Sequence, residues 1–148
     1  MILLPDAGSA MAWGARLAPL ILAGDVLLLS GPLGAGKTTL ARGVLHGLGW
    51  PGEVPSPSFT LVERYDAPPL RLPAWHADLY RLEDARELPR LGLEEAEAGL
   101  LLLEWPERLG AHAFPGALRL RLEPLAAGGR SLTADAPAAW AGRWPPPP

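Results

Sequence analysis

Leu28-Leu29-Ser30-Gly31-Pro32-Leu33-Gly34-Ala35-Gly36-Lys37-Thr38-Thr39-Leu40 fits the pattern G-x-x-x-x-G-K-[ST] without a mismatch, with Gly31, Gly36, Lys37 and Thr38 in its fixed positions. The pattern carries meaning only between a strand and a helix, and both flanks are present. Val26 to Leu29 is a continuous apolar run entered from Gly24-Asp25, which predicts a buried parallel strand. Thr39 to Leu48 predicts a helix, with Leu40, Val44, Leu45 and Leu48 on one face and Gly49 just past its end. Glycines allow backbone N–H groups to curl around a phosphate chain, and the helix adds its positive N-terminal end. Lys37 can reach β- and γ-phosphates, and the Thr38 hydroxyl can ligate the Mg²⁺ that those phosphates bring. Lys37 is also the sole lysine among thirteen basic residues, in a chain that otherwise uses arginine for positive charge.

The bulk numbers narrow the classes. At 148 residues the chain is expected to form one domain over 1–136, followed by a proline-rich tail at 137–148 read as disordered. A net charge of −3 argues against direct, high-affinity nucleic-acid binding. There is no cysteine, hence no disulfide and no zinc–cysteine site. No signal peptide and no apolar run of membrane-spanning length is visible, so a cytoplasmic location and no membrane contact are expected. The absence of asparagine and glutamine, with eighteen prolines, fits a thermophile or a GC-rich genome.

The other elements follow in order. Residues 9–23 read as a helix that Pro19 kinks or ends. Trp50 to Thr60 is a proline- and glycine-broken loop. Leu61–Tyr65 and Leu70–His76 read as a strand pair around an Asp66–Pro69 turn, with Pro73 demoting the second to an edge or shortening it. Glu83–Leu88 and Leu91–Ala98 read as short helices, and the acidic Glu94, Glu95 and Glu97 as a solvated face. Leu100-Leu101-Leu102-Leu103-Glu104 reads as a second buried parallel strand ending in an acid, the Walker B arrangement, in which the carboxylate holds Mg²⁺ or orients the attacking water. Leu118 to Glu123 and Arg130 to Asp135 alternate apolar and polar residues and predict an antiparallel hairpin at the sheet edge.

Four pieces occur in a telling order: the P-loop at Ser30–Thr39, then Ser56-Pro57-Ser58-Phe59-Thr60-Leu61-Val62, His76-Ala77-Asp78-Leu79-Tyr80-Arg81-Leu82, and Leu103-Glu104-Trp105-Pro106-Glu107. In this order, over residues 6 to 135, the chain resembles the bacterial TsaE (YjeE) family, the ATPase component for making threonylcarbamoyladenosine in tRNA. The resemblance implies a single α/β domain of the P-loop NTPase type, a three-layer sandwich with a mainly parallel central sheet and antiparallel edge strands. It implies ATP and Mg²⁺ as cofactors, TsaB- and TsaD-type subunits as partners, and tRNA contact only through that complex. Carried onto this chain, Leu33, Gly34, Ala35, Gly36, Lys37, Thr38 and Thr39 cradle the nucleotide, with Ser58 and Trp105 beside it. Thr38 and Glu104 hold the metal, and Asp78, Glu104 and Lys37 form the catalytic set. Pro32 stands where the family usually has Asp, and Ser58 where it has Thr.

Other readings stay open on residues alone. A GTPase would need an Asn-Lys-x-Asp motif, and the chain has no asparagine. A small-molecule kinase would need an arginine-bearing lid, for which Arg81, Arg86 and Arg90 are available. A nucleotide-gated adaptor that hardly hydrolyses ATP is the non-enzymatic alternative. Asp78 can also serve as a cap for the Leu79–Arg81 turn, Trp105 as core packing, and His76 as a hydrogen-bonded structural histidine; His46 and His112 lie too far off for a histidine metal site. Arg81 is the sole arginine next to a motif, and it can instead pair with Glu83 or Asp84.

Overall fold

Seven strands form one sheet in the order β1-β7-β6-β2-β5-β4-β3 in the computed structural model, which describes residues 1–57, 62–84, 86–87, 92–109 and 114–147. The strands are β1 (Ile2–Leu4), β2 (Val26–Ser30), β3 (Val62–Tyr65), β4 (Ala74–Asp78), β5 (Leu100–Glu104), β6 (Leu118–Pro124) and β7 (Arg130–Asp135). The pairs β6–β2, β2–β5 and β5–β4 are parallel; β1–β7, β7–β6 and β3–β4 are antiparallel. The expected mainly parallel sheet with antiparallel edges is therefore present. β5 is buried at every position, which is why it reads as an unbroken leucine run rather than an alternating one.

Two α-helices cover one face: α1 (Ala7–Leu17) and α2 (Lys37–Leu48). Asp6 caps α1 by accepting from the Ser9 amide at 2.7 Å, and Ser9 Oγ accepts from the Asp6 amide at 3.1 Å. Pro19 ends the regular helix as expected, and Ala18–Leu20 continues as a 3-10 turn. The helices approach closely at Gly43, where a Cβ would strike the Met11 backbone. Leu40, Val44 and Leu45 of α2 pack with Leu27, Leu29, Leu100 and Leu102 into the larger core. The opposite face, including Leu28, Trp75, Leu101 and Leu103, is covered by short segments such as the 3-10 turns Glu94–Ala98 and Pro106–Leu109. The second outer layer is thus built of turns among the described residues.

Several expectations need correction. β1 at Ile2–Leu4 has too few residues for periodicity to reveal it; it forms by pairing with β7, and so the hairpin β6–β7 is not the edge. The strand expected at Leu70–His76 is displaced to Ala74–Asp78 and lies inside the sheet, because Pro73 precedes the strand and needs no ladder bond within it. α2 begins at Lys37, two residues before the expected start, and Leu91–Ala98 contributes a 3-10 turn only over Glu94–Ala98. Leu61, Leu88 and Leu91, ends of other expected elements, and Ala85, inside the expected Glu83–Leu88 helix, lie outside the described residues.

The segment from 137 also differs from a disordered tail. Ala138–Trp140 forms a 3-10 turn, Trp140 is fully buried in the core, and Trp144 meets Trp13 edge-on at 5.8 Å. Arg143 donates to the Asp25 carboxylate at 2.6 and 3.1 Å and to the Leu20 carbonyl at 2.9 Å. Proline content suggested disorder; two tryptophans with apolar surface to cover, and a partly buried ion pair, outweigh it.

Candidate functional site

β2, β4 and β5 run parallel or are linked through parallel pairs, so their C-terminal ends emerge together, where clefts in open α/β sheets form. The register sets Leu29 opposite Glu104 and Asp78 opposite Glu104. From the end of β2 the chain turns through Gly31–Gly36 into α2. Gly36 has φ of 102°, a conformation that favours glycine, and a Cβ there would collide with the Arg130 guanidinium. The resulting cleft, of about 330 Å³, is lined by the loop, by Thr38 and Thr39, by Ser56, and by Asp78, Glu104, Trp105 and Arg130.

Lys37 is buried, and its ammonium donates to the carbonyls of Gly31 at 2.5 Å and Pro32 at 3.0 Å. The same Nζ lies 4.0 Å from the centre of the Trp105 ring, a cation–π contact. Burial pulls the Lys37 pKa below its ordinary value, while Glu104, Glu107 and Asp78 push back. Trp105 adopts φ of 62°, unusual for a large side chain, and so the backbone after β5 is held in a costly turn that lays the indole on Lys37. Tyr80 packs against the same indole at 4.9 Å.

Thr38 Oγ1 lies 3.0 Å from both carboxylate oxygens of Glu104, and His76 Nε2 lies 2.6 Å from Glu104 Oε2. Asp78 is buried and accepts from the Tyr80 amide at 2.9 Å, so it holds the following turn and faces the cleft at once. A hydroxyl and a nearby carboxylate are hard oxygen donors, and no group of three or more His, Cys, Asp or Glu suited to a metal exists among the described residues. That donor set fits Mg²⁺, which typically takes one or two protein oxygens and completes its shell with phosphates and water.

The structure brings together Leu33, Gly34, Gly36, Lys37, Thr38, Thr39, Asp78, Glu104 and Trp105 around this cleft. Ala35, within the loop, is buried. Ser58 and His112 lie outside the described residues, as does Arg90; His46 pairs with the Gly52 carbonyl at 3.0 Å. Arg86 is taken up by Asp84, and Arg81 lines a small recess with Leu33, Asp78, Tyr80 and Trp105. A charged cleft residue escaped the sequence reading. Arg130, at the start of β7, donates to the Ala35 carbonyl at 3.2 Å and packs on Gly36, so Arg81 is not the sole arginine at a motif. The alternation of β7 identified its strand, but nothing local signals that the strand's first residue returns to the loop.

A strand, a glycine-rich loop and a helix, with a buried carboxylate ending the adjacent parallel strand, define the P-loop class of α/β domains. Within that class, the family model described as threonylcarbamoyl adenosine biosynthesis protein TsaE matches residues 4–132, and the chain belongs to that family. It is 42% identical over 112 residues to the tRNA threonylcarbamoyladenosine biosynthesis protein TsaE of Synechocystis, covering 72% of this chain and 69% of the relative. The TsaE protein of Treponema pallidum is 35% identical over 123 residues, 82% of this chain and 89% of the relative. The crystal structure of Bacillus subtilis YdiB superimposes with a TM-score of 0.73 at 31% identity, covering 88% of this chain and 80% of that one.

Proposed function

We infer that this chain acts in tRNA threonylcarbamoyladenosine biosynthesis as the subunit that binds and hydrolyses ATP, together with TsaB- and TsaD-type partners in the cytoplasm. The observation that carries this reading is the convergence of Lys37, Thr38, Asp78 and Glu104 on one cleft at the C-terminal ends of the parallel strands. Membership of the TsaE family supplies the pathway. No helix among the described residues is long and apolar enough to cross a membrane.

The residues divide the work. Backbone amides of the loop and the start of α2 receive the phosphates, and Lys37 leaves its loop carbonyls to meet them. Thr38 and Glu104 would hold Mg²⁺, which neutralises charge on the phosphate oxygens. Asp78, beside Glu104, is suited to orienting the attacking water. Arg130 adds a guanidinium to the cradle. Because it is tied to the Ala35 carbonyl, its charge serves binding. Arg130→Ala is expected to weaken ATP affinity about tenfold, the worth of one charge-assisted hydrogen bond. Titration calorimetry measures it, and an unchanged affinity would remove Arg130 from the site.

Partners complete the catalyst. Efficient P-loop enzymes place an arginine on the γ-phosphoryl group, worth about 10³ to 10⁵ in rate. Arg130 is engaged with the loop, Arg64 is bound to Asp66 and Glu95 at 2.9 Å each, and Arg81 lines the neighbouring recess rather than the cleft itself. The isolated chain is therefore expected to turn over slowly and to gain at least about tenfold when both partners are present. Steady-state hydrolysis measured alone, with each partner and with both is the test. An isolated rate near the 10 s⁻¹ typical of enzymes, unmoved by the partners, would overturn the reading.

A further inference from the structure

We propose that His76 is the positioning residue of the Glu104 carboxylate and thereby sets how strongly magnesium couples to nucleotide binding; this rests on the function inferred above. His76 and Asp78 project from the same face of β4, and Asp78 is the register partner of Glu104. His76 is thus the diagonal neighbour of Glu104, within reach of its long side chain. The ring is fully buried, and Nε2 lies 2.6 Å from Glu104 Oε2. Nδ1 is buried with no hydrogen-bond partner among the described residues. A carboxylate accepts, so Nε2 carries the proton and donates it to Glu104.

This arrangement is not what packing alone would select. The neighbours of His76 on that face include Ala74 and Leu102, and an apolar side chain would fill the space without leaving a nitrogen unsatisfied. An unsatisfied buried polar atom costs about 1–3 kcal/mol. The imidazole offsets that cost only through its bond to Glu104. Among the described residues the Glu104 carboxylate has two donors of different kinds. Thr38 belongs to the nucleotide loop and contacts both oxygens at 3.0 Å. His76 belongs to the interior of the sheet and contacts one. When the Thr38 hydroxyl turns to a metal, His76 is the donor that still fixes the plane of the carboxylate. Partners of this kind behind a metal ligand govern affinity by about 10–100-fold.

The test compares wild type, His76→Leu and His76→Gln, whose amide nitrogen reaches about as far as Nε2. Thermal melting and ATP titration, in EDTA and in magnesium, are measured for each. His76→Leu is expected to fold and to keep its magnesium-free ATP affinity within about twofold. It should lose about tenfold or more of the affinity gain that magnesium confers. His76→Gln should regain most of that coupling. If the leucine variant does not fold, His76→Asn replaces it, since its amide is too short to reach Glu104. Coupling unchanged in the leucine or asparagine variant, or glutamine no better than either, would overturn the proposal. A wild type without any magnesium effect would remove the inferred function and this proposal together. A wild type with that effect, matched by every variant, would remove this proposal alone.

Discussion

Replacing Lys37 with alanine is expected to lower ATP affinity by at least about 100-fold while leaving the fold intact. A unit charge about 4 Å from a phosphate charge is worth about 4 kcal/mol at an effective dielectric near 20, close to three decades of affinity. Part of that is offset, because the ammonium must give up the Gly31 and Pro32 carbonyls and the face of Trp105. The fold survives for a separate reason. Lys37 is buried, and burial disfavours the charged amine, so removing it relieves a desolvation cost. Position 37 is also the first residue of α2, where alanine is the best helix former. Titration calorimetry with a thermal scan decides the matter. Wild-type affinity in a folded K37A protein would show that this loop does not bind the phosphates.

Glu104→Gln is expected to reduce hydrolysis by about 10²–10³ with magnesium-free ATP affinity largely retained, the range seen when one preorganised catalytic group is lost. The amide keeps the volume of the carboxylate in a site that is 3% exposed. Its oxygen can accept from His76 and its nitrogen can donate to the Thr38 hydroxyl, so the local network persists with the charge removed. Phosphate binding rests on the loop amides and Lys37, which the substitution does not touch. Single-turnover hydrolysis and ATP titration on the same preparation separate the two effects. Full turnover in the glutamine variant would release Glu104 from the catalytic role, and a loss of magnesium-free affinity beyond about tenfold would move it into ground-state binding.

The sequence by itself determined what contiguous residues encode. The P-loop, the buried run before it, the amphipathic α2 and the leucine strand ending at Glu104 are each written in a short stretch whose periodicity fixes one local structure. Asp78 was legible because its motif lies at the end of a strand, although Pro73 misled the strand's boundaries and its place in the sheet. Only the tertiary structure decided the pairing of β1 with β7, the insertion of Trp140 into the core, the return of Arg130 to the loop and the bond between His76 and Glu104. Arg130 and Ala35 are 95 residues apart, and His76 and Glu104 are 28 apart. Such contacts follow from strand order and register, which are fixed when the whole apolar surface of the chain is buried at once. No window of local sequence contains that information.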